Sequence, residues 1–175
     1  GRLLEEQILD ESLYKRRDRI MFSMFPSQPM AIIGIKKTVH DAVIPEYKTD
    51  GSSGADLRSV ENVLILPEEC VAVGTGLVFD IPDGFEAQIR PRSGRALKDF
   101  KFDLPNAPGT IDSDYRGEVK VIIRNISRTE PLRIEKGERI AQVVFAPVAK
   151  GIMIEAEELS DTERGSGGFG STGER

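Results

Sequence analysis

A chain of 175 residues with 39% hydrophobic side chains can build one packed domain and is too long for a disulfide-stapled mini-protein. Its 29 acidic against 24 basic residues give a formal charge of -5, whereas a sequence-independent nucleic-acid binder needs a basic excess to displace counterions. A single cysteine, Cys70, and a single histidine, His40, exclude an internal disulfide, a thiolate-rich zinc site and any centre that needs several imidazoles. No apolar run approaches the roughly 18–20 residues that span a bilayer. The opening residues lack both the h-region of a secretory signal and the acid-poor composition of a transit peptide, so an intracellular, cytoplasmic protein is expected.

Residues 1 to 29 read as a helical extension. Leu9, Leu13, Ile20 and Met24 fall near helical spacing, and Glu5, Glu6, Asp10 and Glu11 precede Lys15, Arg16, Arg17 and Arg19, the charge order that complements a helix dipole. Pro26 and Pro29 close the segment. It reads either as an appendage on the body or as a partner-binding helix.

From Ala31 the signals are short strands bounded by turn residues, at the spacing of an all-β sandwich or barrel. The clearest are 31–37, 63–66, 76–81, 85–90, 119–125 and 140–147. Pro82-Asp83-Gly84 is expected to join two of them as a hairpin. Alternation then sorts Phe85, Ala87 and Ile89 from Glu86, Gln88 and Arg90, and Val119, Val121 and Ile123 from Lys120, Ile122 and Arg124. The one internal helix signal is short, near 95–98. The glycine-rich stretch from Gly165 to Arg175 reads either as a disordered tail or as a lid whose backbone N–H groups surround phosphate oxygens.

Several segments carry candidate chemistry. Pro91-Arg92-Ser93-Gly94-Arg95 follows a strand and places guanidinium, hydroxyl and backbone N–H groups where they can meet an anion, or is a plain turn with solvated arginines. Asn106 to Gly117 packs an amide, two carboxylates, an aromatic ring and an arginine into one connection. There Asp112 and Asp114 alternate around Ser113, so one carboxylate can face a pocket as a base while the other faces away to hold the turn, or both can be turn aspartates. Arg139-Ile140-Ala141-Gln142 opens an apolar strand, where an edge arginine and a solvated glutamine are the plainer reading, and Asp56, in Gly54-Ala55-Asp56-Leu57-Arg58-Ser59, is open in the same way. Asn125-Ile126-Ser127 matches a glycosylation sequon by coincidence, His40 reads as a surface imidazole and Cys70 as a core thiol. The C-terminal glycines lack the Lys-Ser/Thr of a Walker A loop.

Taken in order, five segments resemble the five motifs of the trimeric deoxyuridine triphosphate nucleotidohydrolase (dUTPase) family. They are Gly54 to Ser59, Pro91 to Ala96, Gly109 to Glu118, Gly137 to Gln142 and Arg164 to Gly173. The resemblance covers residues 30 to 175 and implies an all-β, jelly-roll-like domain with a C-terminal lid at 164–175. It also implies a homotrimer whose active sites take residues from all three subunits, and no membrane or direct nucleic-acid partner.

The implied activity is Mg²⁺-assisted hydrolysis of dUTP to dUMP and pyrophosphate, which limits uracil incorporation into DNA and supplies dUMP for thymidylate synthesis. By the family pattern, Asp112 activates the water that attacks the α-phosphorus. Arg92, Ser93 and Gly94 are phosphate ligands, Gln142 contacts the phosphate and water network, and Asn106 reads uracil. Tyr115 packs on the deoxyribose and rejects a 2′-hydroxyl. Asp56 holds waters on the metal as an outer-shell ligand. Arg164 reaches the γ-phosphate, Phe169 stacks on uracil, and Gly170, Ser171 and Thr172 clasp phosphates. Arg95 departs from the pattern, which more commonly has an aliphatic residue there, and residues 1 to 29 have no counterpart. Two alternatives stay open: a dCTP deaminase of the same fold superfamily, and a non-catalytic regulatory protein with this fold.

Overall fold

The computed structural model describes residues 30–167; the expected helix at 1–29 and the lid residues from 168 onward, Phe169 to Thr172 among them, lie outside the described residues. Eleven strands and one short helix make up the described fold: β1 (Gly34–Lys37), β2 (Ala55–Arg58), β3 (Val63–Ile65), β4 (Cys70–Gly74), β5 (Leu77–Asp80), β6 (Phe85–Arg90), α1 (Ser93–Lys98), β7 (Phe102–Asp103), β8 (Gly109–Ile111), β9 (Lys120–Asn125), β10 (Leu132–Ile134) and β11 (Arg139–Pro147). The all-β expectation holds. The strands form four small antiparallel sheets, ordered β1-β5, β3-β10, β2-β11-β6-β8 and β4-β9-β7.

One core serves all four. Alternation in β9 buries Val121 and Ile123 completely, with Val119 just before it, and turns Lys120, Ile122 and Arg124 outward. Leu57, Val73, Leu77, Ala87, Ile140, Ala141 and Val143 complete the centre, and the rings of Phe79 and Phe145 meet at 5.8 Å between centroids. Each fully buried Val, Leu or Ile contributes about 1.5–3 kcal/mol, so this centre supplies most of the driving force.

Two expectations are corrected. Pro82-Asp83-Gly84 does make a turn, with Phe85 N–H donating to Pro82 O and Gly84 at φ +84°, but it is not a hairpin. β5 pairs with β1, whereas β6 pairs with β11 and β8, so the turn carries the chain from one sheet to another. Cys70 is exposed rather than a core thiol. Val71 and Val73 face inward, and the period of two then sets Cys70 outward, opposite exposed Arg124. His40 is on the surface as expected.

Asn125, the sequon residue, is fully buried. Its amide donates to Ile65 O at 3.0 Å and Glu130 O at 2.8 Å, and its Oδ1 accepts from Ser127 N–H at 3.0 Å, tying β9 to β3 and to the turn that follows. Asn125→Leu keeps the branched shape, with bulkier ends, and strips all three bonds. An expected loss of about 3 kcal/mol in urea-induced unfolding follows from the backbone groups left unpaired; an unchanged midpoint would show that these groups find other partners.

Candidate active site

β11 is the strand that assembles the site. It lies between β2 and β6, and its register sets Gln142 opposite Asp56 on one side and Arg90 on the other. These three residues therefore share the face turned away from the core. The register shifts between Arg139 and Ala141, which inserts one extra residue, so Ile140 and Ala141 are both fully buried. Residues three apart on a regular strand point to opposite faces. The bulge cancels that and places Arg139 on the same face as Gln142.

Asp56 is the hub. One carboxylate oxygen accepts from Arg92 Nε at 2.6 Å and the other from Arg139 Nη1 at 3.1 Å, with the Asp56 side chain 14% exposed. Burial pushes this carboxyl up, but the hydrogen bonds from Arg139 and Arg92 outweigh it and hold the group below its ordinary value. The pairing is thus intact at neutral pH and is lost only as pH falls through that lowered value. Gln142 donates to Pro91 O at 2.9 Å and lies over Gly54, where a Cβ would meet Gln142 Cδ at 3.0 Å. The first, second and fourth candidate segments accordingly converge within one chain.

Arg92 is the residue before α1, in extended conformation, and Ser93 and Gly94 open the helix with exposed side-chain positions. Beside them a cleft of about 410 Å³ is bounded by Arg92, Gly94, Arg95, Lys98, Glu138 and Arg139. A second, of about 470 Å³, lies between Arg90, Pro91, Gln142 and the Ala107-Pro108 loop, next to Asn106. Both are large enough to take part of a nucleotide.

Asp112 and Tyr115 lie elsewhere. They follow β8, whose register sets Gly109 opposite Ile89 and Ile111 opposite Ala87. Continuing toward Asp112 leads away from Arg92, so at about 3.3 Å per residue the two are separated by roughly 15–20 Å. Asp112 and Asp114 are both exposed. The turn is held by Arg116, which donates to Ser113 O at 2.6 Å, to Tyr115 O at 3.1 Å and to Asp80 at 2.7 Å. The Tyr115 ring lies against Gly117, where a Cβ would come within 2.9 Å of its Cε2, and its hydroxyl donates to Glu118 O at 3.2 Å. Arg164 donates to Gly167 O at 2.8 Å in an exposed turn.

Two participants were not assigned from the sequence. Arg139 reads as an edge arginine until the bulge is known. Arg95 bonds Glu138 and Asp99 and lies over Phe102. Burial pulls this guanidinium below its ordinary value while Asp99 pushes it back up; it remains a cation at neutral pH.

Among the described residues no group of three or more His, Cys, Asp or Glu side chains is arranged to hold a metal ion, and no helix is long and apolar enough to cross a membrane.

A dUTPase family model matches residues 40–173. A relative from Nautilia profundicola, named deoxyuridine 5′-triphosphate nucleotidohydrolase, is 58% identical over 139 residues, covering 79% of this chain and 96% of the relative. One of the same name from Hydrogenobaculum sp. is 56% identical over 140 residues, covering 79% and 96%. Among solved structures, the Staphylococcus bacteriophage 80alpha dUTPase with dUpNHpp superposes with a TM-score of 0.73 at 30% identity, covering 81% of this chain and 98% of that one. A mutant dUTPase from phage phi11 of S. aureus, described for its structural Mg(II) ion, has a TM-score of 0.67 at 22% identity, covering 72% and 97%, which is a likeness of fold.

Proposed function

Since the chain belongs to the dUTPase family and hydrolyses dUTP to dUMP and pyrophosphate, we propose that it does so in sites built between copies of itself, as a homotrimer in the cytoplasm. The observation that carries this reading is the separation of Asp112 from the Asp56, Arg92 and Arg139 cluster within one chain. A base set that far along the sheet from a phosphate cradle suits a site in which a second copy supplies one of them. Apolar surface points the same way: Ile152, Met153 and Ile154, after β11, stand 90, 96 and 81% exposed. The relatives are named for dUTP hydrolysis rather than for deamination.

In this reading Asp112 orients a water in line with the bond to be broken and takes its proton as the oxygen attacks the α-phosphorus. The bond from that phosphorus to the bridging oxygen breaks, and pyrophosphate leaves. Arg92, Ser93 and the Gly94 N–H hold the phosphates, which suits a reaction governed by positioning and charge compensation. Gln142, fixed by Pro91, orders the phosphate and water network. Asn106 reads the edge of uracil from the loop beside the second cleft. Arg164, Phe169, Gly170, Ser171 and Thr172 close over the substrate.

Both Asp56 oxygens already accept from arginines, which leaves lone pairs for metal-bound waters but suits no direct ligation. That donor set fits Mg²⁺, which keeps several waters and binds chiefly through substrate phosphates. When bound, Mg²⁺ offsets the phosphate charge that develops during displacement.

Tyr115 supplies sugar selection, its ring fixed by the absence of a side chain at Gly117. Tyr115→Ala is expected to lower the ratio of kcat/KM for dUTP over UTP by about 10- to 100-fold, with the loss in discrimination exceeding the loss in dUTP turnover. The check is a parallel assay of pyrophosphate release from dUTP, UTP, dCTP and dTTP. An unaltered preference would remove Tyr115 from the sugar pocket, and ammonia released from dCTP would replace the hydrolytic scheme.

A further inference from the structure

Arg95 stands on α1 three residues after Arg92, with its side chain only 14% exposed. Three parts of the fold hold it. Asp99, one helical turn on, bonds it at 3.1 Å; Glu138, in the turn before β11, bonds its other terminal nitrogen; and the Phe102 ring of β7 lies with its centroid 4.5 Å from Cζ. Nε is buried and has no hydrogen-bond partner.

This is a costly way to fill space. An aliphatic side chain of similar reach would pack on Phe102 without desolvating a cation. What it could not do is grip Glu138. That residue is itself fixed: its second carboxylate oxygen accepts from Glu135 N–H at 2.9 Å and its carbonyl from Ser59 N–H at 2.9 Å. It also immediately precedes Arg139. Two links therefore join the same pair of segments, Arg92 to Asp56 to Arg139 and, one step further back, Arg95 to Glu138.

We propose that Arg95 is a positioning residue for triphosphate binding: by bonding Glu138 it locks α1 to the turn before β11 and so sets Arg92, Ser93 and Gly94 at a working distance from Arg139. Both terminal nitrogens of Arg95 are engaged by carboxylates, so it acts through these neighbours rather than on the phosphates. The inference rests on the reading of Arg92, Ser93 and Gly94 as phosphate ligands.

The test uses the full chain and compares Arg95→Met, Arg95→Lys, Glu138→Gln and the Arg95→Met/Glu138→Gln pair. Readouts are steady-state kinetics on dUTP, affinities for dUMP, dUDP and dUpNHpp, and the thermal midpoint. Arg95→Met is expected to raise KM for dUTP about tenfold while kcat changes less than about threefold, and the pair is expected to be no worse than the more impaired single variant. The affinity loss should grow with the number of phosphates, and Arg95→Lys should recover part of it. A lower thermal midpoint with unchanged KM and no dependence on phosphate number would overturn the proposal and leave Arg95 a packing residue. If Arg95→Met does not fold, Glu138→Gln alone decides, because it leaves Arg95 with Asp99 and Phe102; unchanged KM there overturns the proposal as well. Arg92→Ala is measured alongside. If it leaves triphosphate affinity intact, the phosphate-ligand reading fails on its own account.

Discussion

Asp112→Asn is expected to lower kcat for dUTP by about 10²- to 10⁴-fold while binding of dUpNHpp stays close to that of the unchanged chain. The amide has the shape of the carboxylate and hydrogen-bonds a water equally well, but it cannot take up the proton that the attacking oxygen must lose. Asp112 is exposed, beyond the end of β8, so the change removes no core contact and should leave the thermal midpoint within about a degree. The result is read by single-turnover release of pyrophosphate beside calorimetric titration of the non-hydrolysable analogue. Turnover near the original rate would strike Asp112 from the mechanism. Loss of binding together with turnover would make it a ligand-holding group instead.

The second large effect is a gain. Asp112→Asn and Arg92→Ala chains, each nearly inactive alone, should recover activity when refolded together. If a site takes Asp112 from one copy and Arg92 from another, random mixing in equal amounts makes about one quarter of the sites intact, since each of two independent choices succeeds half the time. Recovery from a background of about 1% or less to about 25% is easily measured. A site contained within one chain predicts no recovery, because every chain then carries a lesion in its own site. Light scattering on the same sample should give about three times the chain mass. A fully active species at the mass of one chain would refute the shared arrangement.

The parts of the fold that follow from local pattern were legible in the sequence. Phe85–Arg90 was bounded correctly because inward and outward residues alternate without interruption, and 119–125 nearly so for the same reason. β7, β8 and β10, of two or three residues each, show no period of their own in the sequence. What failed depended on partners distant in sequence. Nothing in Pro82-Asp83-Gly84 says whether the strands it joins pair with one another, and β5 finds β1 whereas β6 finds β11. Residue type inclines the Cys70 thiol inward, while its position, out of phase with Val71 and Val73, turns it outward. The candidate site divides similarly. Asp56, Arg92 and Gln142 were picked out by motif, but Arg139 joins them only through the bulge in β11. Arg95 could be seen as unusual for its position but not as joined to Glu138, because that bond spans 43 residues.

The arginine pair on Asp56 also bears on how quickly a nucleotide is captured. A long cationic side chain that swings freely must surrender its rotamers when it meets an anion, at about 0.5–1.5 kcal/mol for each side chain immobilised. Here both guanidiniums are already settled by the folding of the sheet, since one carboxylate holds Arg92 and Arg139 from opposite sides. A single negative charge leaves the pair with a net positive one, so an arriving triphosphate meets a field that is already in place. In the proposed site little rearrangement therefore stands between encounter and a seated phosphate chain, and capture should be paced by diffusion rather than by the arginines finding their places.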